Sequence, residues 1–600
     1  MRPNRIALGA LLFLAACKHA PPAAETKPQT WIERSNQNAQ LLLEVQARFQ
    51  PEQASRTGMA GIDDRIADFG PGHRARQRQA VIEALGKLED RQQAESDPLV
   101  KQDLSILVGA AQKQIEGSEL YERLTVPYAP LPRIIFGSLR SLLDPQTAAA
   151  RRPAALLRVR KYAGLEPGTT SVVQLVEAET REGLQKGLLP PSRLEVENDL
   201  QTSKFLLDGI EKLFQQFQIE GYAQPVAELR KQLQGYLDFV QAEVLPKSRD
   251  DFRLPPEIYA FQLRQVGVDI PQEELTHRAH AAFDQIQGEM QALAARIAAA
   301  HGFPSGDYRE VIKQLKKAQI PDDQVLAFYQ QRLAQLEQII REQKLVTLPS
   351  RPARIRLGSP AENASQPAPH MVPPRLIGNT GEQGEFVLPL GIPGDPEERG
   401  SPAAGAGHRP QPPTEAKYDD FNYDAAAWTL TAHEARPGHE LQFSRMVESG
   451  VSLARAIFAF NSVNVEGWGL YAEAMALPFM PDEGKLISLQ LRLQRAARAF
   501  LDPELQQGKW TPQAARAFLM ANVGLSPAFA TEEVDRFTFR APAQATSYFY
   551  GYVRLTELRA AAEKQLGGRF VPQAFHDLVL AQGLLPPDLM RKAVLAALAP

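Results

Sequence analysis

Hydrophobic positions recur every three or four residues along most of the chain, which is the period of an amphipathic α-helix. The segment 270–302, IPQEELTHRAHAAFDQIQGEMQALAARIAAAHG, predicts one long helix with Pro271 near its start and Gly302 past its end. Segments 224–245 and 320–343 have the same period. These patterns predict a mainly α protein without internal repeats.

The pattern changes at Pro349, where residues rich in proline and glycine begin. Within this region GEFVLPL (384–390) predicts a short strand and ARIRLG (353–358) a weaker second one. We therefore expect a small β element at about residues 350–390. The segment 391–417 predicts a surface loop, after which the helical pattern returns and continues to the end of the chain.

The chain has 600 residues, too many for one small core. We expect a bilobed helical body behind an export leader. The predicted divisions are a leader (1–17), a Pro-rich tether (18–30), an amino-terminal helical region (31–250) and a carboxy-terminal helical region with the candidate chemistry (251–600).

The amino terminus predicts export and lipid anchoring. Two arginines precede an apolar run, 6–16, that is too short to span a bilayer but has the length of a signal-peptide core. The run ends in Leu-Ala-Ala-Cys, which resembles a lipobox with Cys17 as the lipidated residue. An ordinary signal peptide with an accidental cysteine is the alternative. Because Lys18 follows, rather than aspartate, we expect attachment to an outer membrane, facing the periplasm.

Composition excludes several classes of function. The net charge is −3 and the pI is about 6.4, so the chain does not look built to bind nucleic acid. Cys17 is the only cysteine, which excludes disulfides and Cys-rich metal sites, so any metal must be held by histidines and carboxylates. Neither a G-x-S-x-G motif nor a phosphate-binding loop is present. The oligomeric state is not predicted.

Residues 433–439, HEARPGH, combine two histidines and a glutamate. On a regular helix His433 and His439 would lie about 240° apart and could not share one ion. Pro437 cannot donate to the carbonyl of His433, and Gly438 adopts backbone angles closed to other residues. We expect the helix to bulge or stop at Arg436, so that His439 can turn back towards His433. The alternative is that both histidines are ordinary core or surface residues.

Two further blocks add candidate groups. In NSVNVEGWGLYAEAM (461–475), Glu466 and Glu473 lie about 20° apart on a helix whose apolar neighbours predict burial, and buried acids need a partner such as a cation. Arginine salt bridges are the alternative for both. Further on, Tyr548 and Tyr552 are four residues apart, and either hydroxyl could donate to a developing oxyanion. Core packing is the alternative for the tyrosines.

Together these blocks resemble a broad bacterial family of unknown function, many of whose members are lipoproteins. Its motifs are HExxPGH, EGWxLYAE, PGQAxxY and an FHDxxLxxG-like segment, found here at 433–439, 466–473, 542–548 and 575–586. The chain departs from them at Gly469, where alanine is usual, and at Ala543, where glycine is usual. The family in turn is similar to helical zinc peptidases of the oligopeptidase type, in which the third ligand comes from the helix after the two histidines.

The resemblance implies a Zn²⁺ ion on His433, His439 and Glu466, with Glu434 as the general base. It further implies that Glu473, Gln544 and His576 surround the ligands and that Tyr548 or Tyr552 assists the oxyanion. We therefore expect a lipid-anchored metallopeptidase that hydrolyses short peptides in a deep cleft. A metal-dependent amidohydrolase acting on cell-wall peptides and a non-catalytic peptide-binding lipoprotein are the alternatives.

Overall fold

The computed structural model describes residues 29–390 and 418–599. The predicted leader with Cys17, the tether up to residue 28 and the predicted loop 391–417 lie outside these residues. Across the part of the chain that is described, no helix has both the length and the apolar character needed to cross a membrane.

The described residues are mainly α-helical, as the hydrophobic period predicts. In chain order the helices are α1 (Trp31–Phe49), α2 (Pro51–Thr57), α3 (His73–Ala94), α4 (Pro98–Leu124), α5 (Leu131–Leu142), α6 (Ala154–Tyr162), α7 (Val172–Gln185), α8 (Arg193–Gln216), α9 (Ala223–Phe239), α10 (Pro256–Val266), α11 (Gln272–His301), α12 (Tyr308–Lys316), α13 (Val325–Glu342), α14 (Pro360–Ser365), α15 (Asp424–Leu430), α16 (His439–Ser449), α17 (Ser462–Ala476), α18 (Asp482–Gln506), α19 (Pro512–Phe518), α20 (Pro527–Asp535), α21 (Thr546–Leu566), α22 (Pro572–Ala581) and α23 (Pro587–Ala597).

Shorter turns of other helix types extend or link these helices. The π-helical turns are Val240–Val244, Thr431–Ala435, Ala454–Phe458, Leu519–Val523 and Arg536–Arg540. The 3₁₀ turns are Ala149–Arg151, Leu245–Lys247, Leu477–Phe479 and Gly567–Arg569. Two of the π turns, Thr431–Ala435 and Arg536–Arg540, carry residues of the candidate site.

The long helix predicted from the sequence is confirmed. Helix α11 follows Pro271 and ends at Gly302, which adopts a left-handed conformation with φ of +67°. Its buried positions recur at helical spacing and face α18 and the surrounding core. The proline and the glycine therefore mark the two ends, as helix-termination chemistry predicts.

A three-stranded sheet forms the small β element. The strands are β1 (Arg354–Leu357), β2 (His370–Val372) and β3 (Glu385–Leu388), and their order is β1-β3-β2. Strand β3 runs parallel to β1 and antiparallel to β2. Strands β1 and β3 were predicted, whereas β2 was not, because three residues between proline-rich segments show no alternation. All of β3 is buried, and it packs beside the turn that carries His433.

Large hydrophobic cores support these elements. One core joins α5 to α9 around Phe214 and Tyr236. A larger one joins α11, α18 and the sheet around Phe386 and Phe500, and a third packs the carboxy-terminal helices around Trp468.

Helices α17 and α21 touch backbone to backbone. A Cβ atom on Gly551 would lie 2.0 Å from the carbonyl oxygen of Val463, and one on Gly467 would lie 2.5 Å from the carbonyl carbon of Gly551. Glycine is therefore required on both sides of the crossing. This close approach holds Glu466 of α17 beside Tyr548 of α21.

Candidate metal centre

The two histidines flank a break in the helix. Helix α15 continues into the π turn Thr431–Ala435, which carries His433 and Glu434, and Arg436 then leaves the helix with extended backbone angles. Helix α16 begins at His439. The predicted break at Arg436 is thus confirmed. Gly438 is required there, because a Cβ atom would lie 1.8 Å from the carbonyl oxygen of His433.

Hydrogen bonds hold this turn from two sides. The indole Nε1 of Trp468, on α17, donates to the carbonyl oxygens of Pro437 and Gly438 at 3.0 and 3.2 Å. The Arg436 guanidinium donates to Glu440 at 2.6 Å and to Glu337 at 2.6 Å. The turn is therefore fixed to the helix that carries Glu466, which sets the position of His439 relative to that carboxylate.

Glu466 completes a group of three ligand atoms. Its Oε2 atom lies 3.5 Å from Nε2 of His433 and 3.3 Å from Nε2 of His439, and all three atoms lie within 4.8 Å of one another. A zinc ion about 2.0–2.2 Å from each ligand holds tetrahedral ligand atoms about 3.4 Å apart. The two measured separations match that spacing.

The hydrogen bonding of Glu466 supports the same assignment. Its Oε2 atom is buried and has no hydrogen-bond partner among the described residues, although it faces both imidazoles. Its other oxygen accepts a hydrogen bond from Nε2 of Gln544 at 3.3 Å. A buried carboxylate oxygen without a partner is costly, and a cation held with two imidazoles removes that cost. His433, His439 and Glu466 therefore fit one Zn²⁺ ion.

Glu473 orients the first histidine. Its Oε1 atom lies 2.7 Å from Nδ1 of His433, and its Oε2 accepts a hydrogen bond from Thr429 at 2.8 Å. Burial lowers the pKa of His433, but the adjacent carboxylates of Glu466 and Glu473 outweigh burial and raise this pKa to about 9. The Nδ1–H group thus points at Glu473, which leaves Nε2 directed at Glu466, as in a carboxylate–histidine–metal arrangement. Nδ1 of His439 has no such partner within the described residues.

Glu434 follows the first ligand directly and is only partly buried. Its neighbour across the site is His370 of strand β2. Burial lowers the pKa of His370, and the charge of Glu434 opposes that shift, so the two side chains lie near each other. The side chain of Glu466 also retains 15% exposure, so solvent reaches part of both carboxylate side chains.

The two candidate tyrosines have different surroundings. The ring of Tyr548 lies nearly parallel to that of His433, with centroids 6.3 Å apart, and its hydroxyl accepts a hydrogen bond from Arg536 at 3.2 Å. Burial and the charge of Glu466 raise the pKa of Tyr548. Tyr552 lies under the guanidinium of Arg492 at 5.0 Å and packs against the core around Trp468. Tyr548 is therefore the tyrosine beside the ligands.

Gln544 and His576, the other two residues expected around the ligands, also have different surroundings. Gln544 contacts Glu466 directly, as described above. His576 instead bonds through Nδ1 to the carbonyl of Leu345 at 2.6 Å and through Nε2 to the hydroxyl of Tyr471 at 2.9 Å. Burial lowers the pKa of His576 to about 4. It approaches the site only through the ring of Trp468, 6.4 Å from its own.

Several residues of the site were not singled out by the sequence patterns. They are Thr429, Trp468, Arg536 and His370. Trp468 stands inside the EGWxLYAE motif, which is a usable signal, whereas the other three are brought in only by tertiary packing. Gly469 leaves room for the two imidazole rings. A Cβ atom at this position would lie 2.6 Å from Cε1 of His433 and 2.9 Å from Cε1 of His439.

Comparison with solved structures identifies proteins of the same fold. A crystal structure described as "the putative lipoprotein from Colwellia psychrerythraea" has a TM-score of 0.73 at 17% identity, covering 94% of this chain and 99% of that one. A "putative lipoprotein of unknown function from Shewanella oneidensis" has a TM-score of 0.65 at 19% identity, covering 95% of this chain and 100% of that one. These identities establish a shared fold alone.

A search of curated proteins finds no match to this chain. A family model does match, over residues 51–594, which is most of the chain and includes every candidate residue described above except Cys17. The chain belongs to the family described as "Bacterial protein of unknown function (DUF885)".

Proposed function

We propose that this protein is a zinc-dependent peptidase that acts on short peptides. The observation that carries the proposal is the position of Glu466 Oε2, which lies 3.5 and 3.3 Å from the two imidazole Nε2 atoms and lacks any other partner among the described residues. Glu434, a partly exposed carboxylate, directly follows one of those imidazoles in the chain. Two histidines, a carboxylate ligand and a nearby carboxylate base are the groups that zinc peptidases use.

When bound, zinc supplies Lewis-acid activation of a water molecule and of the substrate carbonyl. Glu434 takes a proton from the water molecule while the oxygen of that water attacks the carbonyl carbon. Glu434 then delivers the proton to the amide nitrogen as the C–N bond breaks. One peptide bond and one water are consumed, and one carboxylic acid and one amine are formed.

The surrounding residues hold this arrangement in place. Glu473 fixes the ring of His433 through Nδ1, and Gln544 fixes the free oxygen of Glu466. The hydroxyl of Tyr548 accepts its hydrogen bond from Arg536, so its own proton is free to be donated to the carbonyl oxygen where negative charge develops.

We further propose that the protein is exported and anchored by lipid at Cys17, on the periplasmic side of an outer membrane. Support comes from the lipobox-like sequence and from the two structures of similar fold, both described as lipoproteins. Replacement Cys17→Ser should release an otherwise folded protein from the membrane fraction. A variant that stays with the membrane after a high-salt wash would show another mode of attachment.

The metal assignment is tested on soluble protein beginning at Lys18. Elemental analysis should find about one zinc per chain in the parent, and His433→Ala or His439→Ala should lose it. Glu466→Gln should weaken binding, because a neutral amide is a poorer ligand. His277→Ala, which removes an exposed histidine of α11, is the matched control and should keep its zinc. Full metal content in both ligand variants would refute the site.

The catalytic assignment is tested with Glu434→Gln. This variant should keep zinc and fold but lose hydrolysis of a peptide panel by about 10²-fold or more. Glu220→Gln, at an exposed position of the amino-terminal region, is the control and should remain active. A fully active Glu434→Gln protein would exclude this mechanism. A zinc-loaded parent that cleaves only cell-wall peptides, or no peptide at all, would favour one of the two alternatives.

A further inference from the structure

Three arginines contact Tyr548, and a fourth, Arg540, ends the same π turn as one of them; we call these four residues the arginine cluster. Arg495 and Arg498 come from α18, and Arg536 and Arg540 come from the two ends of the π turn Arg536–Arg540. The guanidinium groups of Arg498 and Arg495 lie 4.5 and 5.8 Å from the centre of the Tyr548 ring. Three members of the cluster therefore border Tyr548.

The inner pair, Arg495 and Arg498, is buried and has carboxylates close by. Arg498 donates to Glu533 at 2.7 Å, and Arg495 lies 4.0 Å from Glu473. Only 7% of Arg495 and 3% of Arg498 is exposed, so neither can be reached by a ligand from solvent. These two arginines contribute positive potential to the site but do not offer a binding group.

The outer pair is partly exposed and poorly neutralised. Arg536 donates to the hydroxyl of Tyr548 at 3.2 Å and to Gln544 at 3.3 Å, and it lies 3.6 Å from Glu533, which Arg498 already engages. Arg540 makes no hydrogen bond or ion pair with any described residue, and its Nε atom is buried without a partner.

The carboxylates facing Arg540 do not supply the missing charge. Burial raises the pKa of Glu532, which accepts a hydrogen bond from Tyr418 at 3.2 Å. Burial raises the pKa of Asp199 of α8, and the charges of Arg133 and Arg540 oppose that shift. Asp199 already accepts hydrogen bonds from Arg133 at 3.1 Å and from Tyr128 at 3.0 Å. Arg536 and Arg540 both act on Glu532, and Arg540 forms an ion pair with no described carboxylate. A partly buried guanidinium without an anionic partner is unfavourable.

One member of the outer pair is linked to the metal ligands by side-chain contacts. Arg536 contacts Gln544, and Gln544 contacts Glu466, so two side-chain contacts separate this guanidinium from a proposed ligand. Arg540 is four residues further along the same π turn, so its backbone lies close to that of Arg536. A planar guanidinium with free N–H groups binds carboxylates in a two-pronged manner.

We propose that Arg540, assisted by Arg536, binds a carboxylate of the substrate, the free carboxyl terminus of a short peptide. This inference rests on the proposed function, because it defines which peptides the site accepts. An acidic side chain offers the same chemistry, and the experiment below separates the two sources.

The test measures binding in a Glu434→Gln background, so that turnover does not interfere. Three labelled peptides are compared by fluorescence anisotropy with zinc-loaded protein: trialanine with a free carboxyl terminus, trialanine amide, and Ala-Ala-Glu amide. The free acid should bind at least 10-fold more tightly than both amides. In Arg540→Gln the free acid should bind no better than trialanine amide, whereas Arg540→Lys should recover part of the preference. Arg591→Gln, at an exposed site on α23, removes the same charge and should change nothing.

Equal binding of acid and amide, or no binding of any peptide, would overturn the proposal. So would a preference that survives Arg540→Gln. Stronger binding of Ala-Ala-Glu amide than of the free acid would show that the site binds an acidic side chain rather than the terminal carboxylate. A different outcome would contradict the proposed function alone. If the zinc-loaded parent binds the free acid preferentially but cleaves none of the peptides, the carboxylate site is present without peptidase activity. Cleavage of acid and amide at the same kcat/KM would refute the carboxylate site alone.

Discussion

Two breaks in the helical framework, one before His439 and one before Tyr548, are built alike. In each, a π turn ends, a short irregular segment follows, and a new α-helix begins. The first break separates two proposed zinc ligands. The second has Arg536 and Arg540 before it, Gln544 within it and Tyr548 after it.

The two breaks differ in what their irregular segments require. At Gly438 the chain approaches its own backbone, and a Cβ atom would lie 1.8 Å from the carbonyl oxygen of His433. Ala543 is constrained only by its backbone dihedral angle. It has a left-handed φ of +72°, whereas its Cβ atom fits in the core. A steric overlap with backbone forbids a side chain, whereas a left-handed alanine costs only about 1–2 kcal/mol. The first break therefore needs glycine, and the second tolerates alanine.

The largest expected effect comes from adding a methyl group at the first break. Gly438→Ala should destabilise the protein by about 3 kcal/mol or more and should lower zinc affinity, because the chain must move away from the carbonyl of His433. Thermal unfolding and zinc titration measure the two effects. Gly450→Ala, at the open end of α16, is the control: it carries left-handed strain but no atom lies within 4 Å of its Cβ position. Equal losses in both variants would show that the close approach is unimportant.

Shortening the first break should give the second largest effect. Deleting Pro437 and Gly438 restores the regular His-x-x-x-His spacing but pulls α16 back by about 3 Å at 1.5 Å per residue. The indole of Trp468 would also lose both of its carbonyl partners. We expect weaker zinc binding, measured by competition with a chelator. A deletion variant that binds zinc as tightly as the parent would show that the insert is merely tolerated.

The difference between the breaks also explains what could be predicted from the sequence. Pro437 and Gly438 have local chemical consequences, so the interruption at Arg436 was predicted and is confirmed. Helix α11 was predicted for the same reason, since its period and its flanking Pro271 and Gly302 are local features. Strand β2 was missed, because three residues carry too little pattern and its pairing with β3 is a tertiary contact.

The candidate site likewise contains residues that local sequence patterns identify and residues that only tertiary packing brings to the site. The sequence named His433, His439, Glu466 and Glu473, and the structure brings these four side chains together; their roles in zinc binding and catalysis remain predictions. It could not separate Tyr548 from Tyr552, because both have helical spacing and only the packing of α21 against α17 decides which faces the ligands. It did not name Arg536 or Arg540, since nothing local distinguishes them from surface arginines.

The tyrosines provide a matched pair of variants at the second break. Tyr548→Phe should keep zinc and lower kcat by about 10- to 100-fold, because it removes the hydroxyl proposed to donate to the oxyanion. Tyr552→Phe, one turn further along α21, should leave kcat near that of the parent. Steady-state kinetics on one peptide measures both. Equal losses would indicate that the hydroxyl groups matter only for packing, and a loss confined to Tyr552→Phe would reverse the assignment.

The smallest effect is expected at Ala543. Ala543→Gly relieves the left-handed strain of about 1–2 kcal/mol but adds about 0.5–1 kcal/mol of backbone entropy to the unfolded chain. It also removes a buried methyl group, which costs about 0.8 kcal/mol. These contributions nearly cancel, so the thermal midpoint should stay close to that of the parent. Ala545→Gly, at a position with ordinary helical angles, adds the same entropy without relieving strain and should lower the midpoint. If both variants lowered the midpoint equally, Ala543 would be unstrained. A left-handed dihedral angle would then not be the feature that distinguishes the second break from the first.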